Sequence, residues 1–303
     1  MKICHSFGMK VIPYFSGWEL SPETKIFSKN WEKWYAPCFE NGYVRYTHAG
    51  QGKIYGALMC PDSGWKEYLE EYIKKIIDTY DFDGCYIDWS APGVCFNYGH
   101  FPGIHTGTCG LIDFFENIRK FLKDKILVIH SGGQSCWLFH HNIADRIVTL
   151  EEGKRESGEF VSLKEYPFSI RFMNSGSVGI VPDVFYLSDI LKFKRGLSHL
   201  VHLDTLPYIY EFSGPSVFGY KNWKDFINDK TGLFSLFEKY SKIDFTKYKF
   251  FGPHESRIIK NNTKDILASL YISKNNYFVI ISNQTENILG KGEIFVSINN
   301  KKI

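Results

Sequence analysis

Through most of this chain, short apolar runs alternate with segments of helical periodicity. Val11 to Phe15 is a short apolar run, and Gly84 to Asp88 is a second, ending at Trp89. Between them, Trp65, Tyr68, Leu69, Tyr72, Ile73, Ile76 and Ile77 recur at i, i+3, i+4, i+7 spacing. That spacing predicts an amphipathic helix over 64–80, with Ser63 as its N-cap. Phe114, Phe115, Ile118 and Phe121 predict another over 111–122. Further runs at 126–129, 147–150, 178–181 and 206–210 read as strands. Helical patterns fall between them at 135–144, 160–173 and 187–202, and one more follows at 223–240. A strand that returns to the same sheet through a helix must pair in parallel. The runs are continuously apolar rather than alternating, as expected where both sheet faces are covered.

The six strand candidates fall short of the eight of a (β/α)8-type (TIM) barrel, and the chain opens at His5–Lys10 in what reads as the tail of a helix. The expectation is an α/β barrel lacking its first strands. A doubly wound sheet is the alternative, but no Gly-x-Gly-x-x-Gly follows a strand to support a nucleotide site. From about residue 255 the pattern changes. Ile266–Ser273, Tyr277–Ser282 and Glu293–Ile298 read as antiparallel strands, the first two joined by Lys274-Asn275-Asn276. The expected division is a barrel domain at 1–254 and a C-terminal β module at 255–303.

Composition narrows the function classes. The 303 residues carry a net charge of +3 and no dense basic stripe, so nothing marks a nucleic-acid partner. No apolar run reaches the ~18 residues of a membrane span. Aromatic residues make up 17% of the chain, which suits either a large core or stacking platforms for sugar rings. The seven cysteines are odd in number and unevenly spaced, unlike a secreted disulfide scaffold. Cys85, inside an apolar run, reads as a small buried hydrophobe. Met1–Lys10 has no apolar core of a secretory leader, which leaves the compartment open between the cytoplasm and an address encoded upstream of this chain.

In a (β/α)8 barrel the C-terminal strand ends face the active site. The candidates there are Ser16, Trp18, Asp88, Trp89, His130, Glu151, Glu152 and Asp183. Asp88 is the sharpest, because a carboxylate closing an apolar strand is costly without a partner or a task. Asp81 and Asp83 precede that strand and read as turn residues. Strand alternation lets only one of Glu151 and Glu152 face the barrel mouth, and Glu151 is the one expected inward. Two carboxylates on separate strands are what glycosidic cleavage requires: one protonates the leaving oxygen, the other attacks the anomeric carbon or activates water. Tyr14, Trp18, Trp89 and Tyr98 are candidate sugar platforms; Asn97, His100, His130 and Asp183 are candidate hydroxyl ligands. Cys95, His100, His105 and Cys109 form a rival Cys2His2 set. Their irregular spacing matches no compact zinc template, so no metal and no cofactor is expected. Gly-x-Ser-x-Gly and His-Glu-x-x-His are absent. Ser63-Gly64-Trp65-Lys66 and Lys230-Thr231-Gly232 read as chance matches to β-lactamase motifs.

The segments Gly-Met-Lys-Val-Ile-Pro-Tyr-Phe-Ser (8–16), Cys-Pro-Asp-Ser-Gly-Trp (60–65), Asp-Gly-Cys-Tyr-Ile-Asp-Trp (83–89) and Cys-x-Asn-x-x-His (95–100) resemble glycoside hydrolase barrels. The similarity is to uncharacterised families akin to glycoside hydrolase family 123 and, more broadly, to the α-galactosidase-type clan. It covers roughly residues 5–255. In that clan the nucleophilic Asp ends strand four and the acid/base ends strand six. With two strands missing, the resemblance implies Asp88 as nucleophile and Glu151 or Glu152 as acid/base. The clan uses Asp in the second role, whereas this chain offers Glu. No Asp-Glu dipeptide of the substrate-assisted hexosaminidases occurs. The expectation is a glycoside hydrolase, retaining in stereochemistry, acting on a glycan or oligosaccharide. The alternatives are a non-catalytic carbohydrate-binding barrel, or a fragment of a larger glycosidase, and a metal-dependent barrel hydrolase.

Overall fold

A computed structural model describes residues 1–37, 46–47, 56–88, 94–130, 143–148, 183–186, 202, 206–208, 220–230, 235, 238–239, 242–244, 247–253, 259–261, 266–283, 294–298 and 301–302. The chain divides into two compact units, Met1–Thr149 and Leu150–Ile303.

The first unit begins with helix α1 (Lys2–Ser6), which contributes nothing to the core. Strand β1 is Tyr14–Ser16, shorter and later than the run from Val11 predicts. Pro13 cannot donate to a ladder, and the segment before β1 is instead fastened by Asp83. The Asp83 carboxylate accepts from the Val11 N–H at 2.8 Å, His5 Nε2 at 2.8 Å and Lys10 Nζ at 3.1 Å. Chiefly through the Val11 bond, and despite partial burial, it is held well below the usual carboxylate range. Asp83 is therefore an anchor for the N-terminal segment as well as a turn residue.

Strand β2 (Glu19–Leu20) leads into helix α2 (Lys25–Trp34), capped by Thr24 Oγ1 accepting the Phe27 N–H at 3.2 Å. Strands β3 (Tyr46–Thr47) and β4 (Gly56–Leu58) follow, giving a small antiparallel sheet in the order β2-β4-β3. Two- and three-residue strands carry no periodicity, so none of this sheet is legible in the sequence.

Helix α3 (Trp65–Tyr80) buries Trp65, Leu69, Ile73 and Ile77, a stripe at intervals of four. Its N-cap is Gly64 rather than Ser63. The Ser63 hydroxyl sits one residue earlier, donating to the Cys60 carbonyl and accepting from the Trp65 N–H. The helix stops at Asp81 in the left-handed region, and strand β5 (Gly84–Asp88) follows as predicted. Gly84 allows a close approach: a Cβ there would lie 1.9 Å from the Ile126 carbonyl oxygen. Helix α4 (Thr108–Leu122) buries Leu111, Phe114, Phe115, Ile118 and Leu122, and strands β6 (Ile126–His130) and β7 (Arg146–Val148) complete the unit.

Strands β1, β5, β6 and β7 pair in parallel in that order. Cys85, Ile87, Leu127 and Ile129 are fully buried, and the fully buried residues of α3 and α4 add to this core. Burial pushes the Cys85 thiol up to about 12, as befits a small hydrophobe.

In the second unit, strand β8 is Asp183–Tyr186 and pairs in parallel with β9 (Leu206–Tyr208). Asp183 thus opens a strand instead of closing one; the run at 178–181 lies outside the described residues. Helix α5 (Trp223–Asn228) ends at Asp229, before the limit the pattern suggests. The C-terminal strands are antiparallel, as expected, but number more than three. Strands β10 (Lys249–Phe251), β12 (Ile266–Ile272) and β13 (Tyr277–Asn283) form one sheet. Strands β11 (Ile259–Asn261), β14 (Ile294–Ile298) and β15 (Lys301–Lys302) form another. Buried His202 takes the Ser269 and Ser282 hydroxyls on its two ring nitrogens, each at 2.6 Å. The helical segments expected at 135–144 and 160–173 fall outside the described residues, apart from 143–144.

Candidate functional site

The register of the parallel sheet builds the site. Tyr14 partners Tyr86, and Tyr86 partners Val128; one pleat further on, Ser16 partners Asp88 and His130 partners Val148. Side chains two apart share a face, so Tyr14, Tyr86, Asp88, Val128 and His130 lie together. Cys85, Ile87, Leu127 and Ile129 occupy the opposite, fully buried face.

Asp88 ends β5 with both oxygens engaged. Oδ2 accepts from the Tyr14 hydroxyl at 2.6 Å, and Oδ1 lies 2.5 Å from His130 Nδ1. A carboxylate can only accept, so Nδ1 carries the proton. The backbone adds a brace, since the Gly17 N–H donates to the Asp88 carbonyl at 2.8 Å. Tyr86 meets the rings of Tyr14 and His130 edge-on. The side chains of Asp88 and His130 are 19% and 10% exposed, while Tyr14 is 56% exposed. A fixed carboxylate beside an open aromatic ring suits both a reacting centre and a stacked sugar.

Trp18, expected as a sugar platform, is fully buried and packs edge-on against Phe114 at 5.2 Å. Its ring has no exposed face to offer a ligand. Asp183 stands at the N-terminal end of its strand, away from the end where barrel sites are built. Trp89, Glu151 and Glu152 lie outside the described residues. Tyr98 is exposed.

Asn97 and His100 belong to a different constellation. Among the described residues, one group offers metal-type ligands in mutual proximity: Cys60, Cys95, His100 and His105, whose ligand atoms all lie within 4.8 Å of one another. Cys60 follows β4, whereas Cys95 and His105 face each other across an antiparallel bridge. His100 sits on the turn that begins at Asn97. Cys60 stands where the rival Cys2His2 set had Cys109, which is exposed on α4. The hydrogen bond from Cys60, and then contacts with His100 and the Asn97 N–H, bring the Cys95 thiol down to about 5 despite its burial. The same bond, burial and the Cys95 charge push the Cys60 thiol up.

No family model matches the chain, and no curated protein matches it. Solved structures do. Trehalose-6-phosphate hydrolase from Bacillus licheniformis aligns over 93% of this chain and 76% of its own, at 13% identity and a TM-score of 0.61. A noncanonic maltogenic alpha-amylase from Thermotoga neapolitana aligns over 93% and 66%, at 15% identity and a TM-score of 0.58. An alpha-galactosidase from Thermus thermophilus aligns over 48% of this chain and 28% of its own, at 14% identity and a TM-score of 0.36. The chain therefore spans at most about two thirds of the amylase and under a third of the galactosidase. At these identities the first two comparisons establish the fold alone: a mixed α/β chain with a parallel sheet, of the kind found in glycoside hydrolases, with antiparallel sheets at its C-terminal end. None of them singles out family 123. No helix among the described residues is long and apolar enough to cross a membrane.

Proposed function

We propose that this protein is a glycoside hydrolase-like (β/α)8 barrel that acts on a glycan, with Asp88 as its nucleophile. The observation that carries the reading is Asp88 itself: a carboxylate closing a parallel strand, fixed between Tyr14 and His130 on the face turned away from the buried core. The fold it shares with amylase-type and trehalose-6-phosphate-hydrolase structures supports it. The Tyr14 and His130 donors hold the Asp88 carboxylate in place and aimed. One of these bonds must loosen as the carboxylate attacks the anomeric carbon. The exposed Tyr14 ring then offers a stacking surface for the sugar. Glu151, three residues beyond the end of β7, is the proposed acid/base, with Glu152 as the alternative. A retaining pair would stand ~5–5.5 Å apart.

The test is hydrolysis of a panel of aryl glycosides. Asp88→Asn should lower turnover by on the order of 10³-fold or more at an unchanged melting temperature. Glu151→Gln should spare substrates with good leaving groups, which need no protonation. Near-wild-type turnover by the Asp88 variant would refute the assignment. One observation favours a second reading, a non-catalytic carbohydrate-binding barrel: both Asp88 oxygens already hold donors, which also suits a fixed ligand for sugar hydroxyls. Oligosaccharide binding without turnover of any glycoside would select it.

A further inference from the structure

We propose that Cys60, Cys95, His100 and His105 form a structural Cys2His2 zinc site, a role independent of the glycosidase reading. Three features converge on it: ligand spacing, ring orientation and charge.

Spacing comes first. With metal–ligand bonds of ~2.0–2.3 Å, the edges of a tetrahedral site are about 3.3–3.8 Å. Cys60 Sγ lies 3.3 Å from His105 Nε2, and Cys95 Sγ lies 3.5 Å from His100 Nδ1. No ligand pair exceeds 4.8 Å, so closing the set around an ion needs shifts of only about 1 Å.

The imidazole rings are already set for coordination. His100 Nε2 lies 2.7 Å from the Lys33 carbonyl, and His105 Nδ1 lies 3.1 Å from the Gly103 carbonyl. A carbonyl oxygen can only accept, so these two nitrogens carry the protons. The Asn97 amide nitrogen, itself a donor, lies farther from His100 Nε2 at 3.1 Å, and the shorter contact with the Lys33 carbonyl sets the tautomer. His100 Nδ1 and His105 Nε2 are left with lone pairs turned toward the thiols. Donation of the outer ring nitrogen to a carbonyl is the usual second layer of a histidine–metal site. The Asp62 carboxylate stands 3.6 Å from His105 Nε2, and the Gly110 N–H holds its other oxygen at 2.6 Å.

Charge and donor type select the ion. Two thiolates neutralise a divalent cation, so the filled site adds no net charge to a region where Cys60 and Cys95 are buried. Sulfur and imidazole donors suit zinc and disfavour magnesium and calcium. Four protein ligands leave no open position, so the ion is structural. It would tie the end of β4 to the 95–105 loop and, through the Lys33 carbonyl, to the last turn of α2, just downstream of Asp88 in sequence.

Protein purified under reducing conditions should carry one zinc per chain by elemental analysis. Cys60→Ser and Cys95→Ser should each cut that content at least tenfold, and Cys109→Ser should leave it unchanged. Chelated wild-type protein should melt lower and recover with zinc but not magnesium. Cobalt(II) in place of zinc should show thiolate charge-transfer bands and tetrahedral d–d bands. These wild-type measurements keep the proposal testable if a cysteine variant fails to fold. Failure to take up zinc on refolding in its presence, a Cys60–Cys95 disulfide by intact mass, or stoichiometric iron or copper instead would overturn it. None of these readouts depends on glycosidase activity.

Discussion

Asp83 shows how one residue can organise a terminus. Its carboxylate gathers the Val11 N–H, His5 and Lys10, and the Val11 bond does most to hold it ionised. A group whose folded pKa is lowered stabilises the protein above its unfolded value, near pH 4, and loses that contribution as pH falls toward the folded value. Asp83→Asn should therefore cost on the order of 1–3 kcal/mol at pH 7. The gap to wild type should narrow in denaturant titrations below pH ~4. Equal stability at pH 7 would deny the anchor. Gly84, the next residue, makes a separate steric prediction. An alanine there would meet the Ile126 carbonyl backbone, which cannot swing aside, so Gly84→Ala should cost roughly 1–3 kcal/mol.

Elements are where the sequence was most and least informative. Helices α3 and α4 and strands β5 and β6 are local patterns, and each lies where its periodicity or apolar run puts it. The β2-β4-β3 sheet is made by pairing distant pieces too short to show a pattern. The metal-type cluster was half legible: Cys95, His100 and His105 share one loop, but Cys60 lies 45 residues before His105 and joins them only through the fold. The exposed Cys109 was the nearer residue in sequence and the wrong one in space. Asp88 was legible because a carboxylate at an apolar strand end is a local anomaly, whereas its partner Tyr14 needed the parallel register. Helix α4 carries its own prediction. It ends at Lys123 with φ 52° and ψ −108°, where a side chain is strained. Lys123→Gly should raise stability by about 0.5–1 kcal/mol, and Lys123→Val should lower it. Chemical denaturation of the two variants decides the sign.

At the scale of the molecule, each compact unit carries a buried core of its own. In the first, Ile73 and Ile77 of α3 and Phe114, Phe115 and Ile118 of α4 are inaccessible to solvent. In the second, Leu270 and Tyr271 of β12 are almost wholly buried, close to Ala268 and Phe250 in the same sheet. Truncating a buried aliphatic to alanine typically costs 2–5 kcal/mol, roughly half transfer and half cavity in the larger cases. If each core stabilises its own unit, that cost falls on one unfolding event and not the other. Ile73→Ala and Leu270→Ala should then displace different transitions in calorimetry, and the double variant should displace both by the sum of the single shifts. Chelation of the proposed zinc should follow the Ile73 pattern, because all four ligands belong to the first unit. A single transition moved equally by both substitutions and by chelation would mean that the units unfold as one cooperative body.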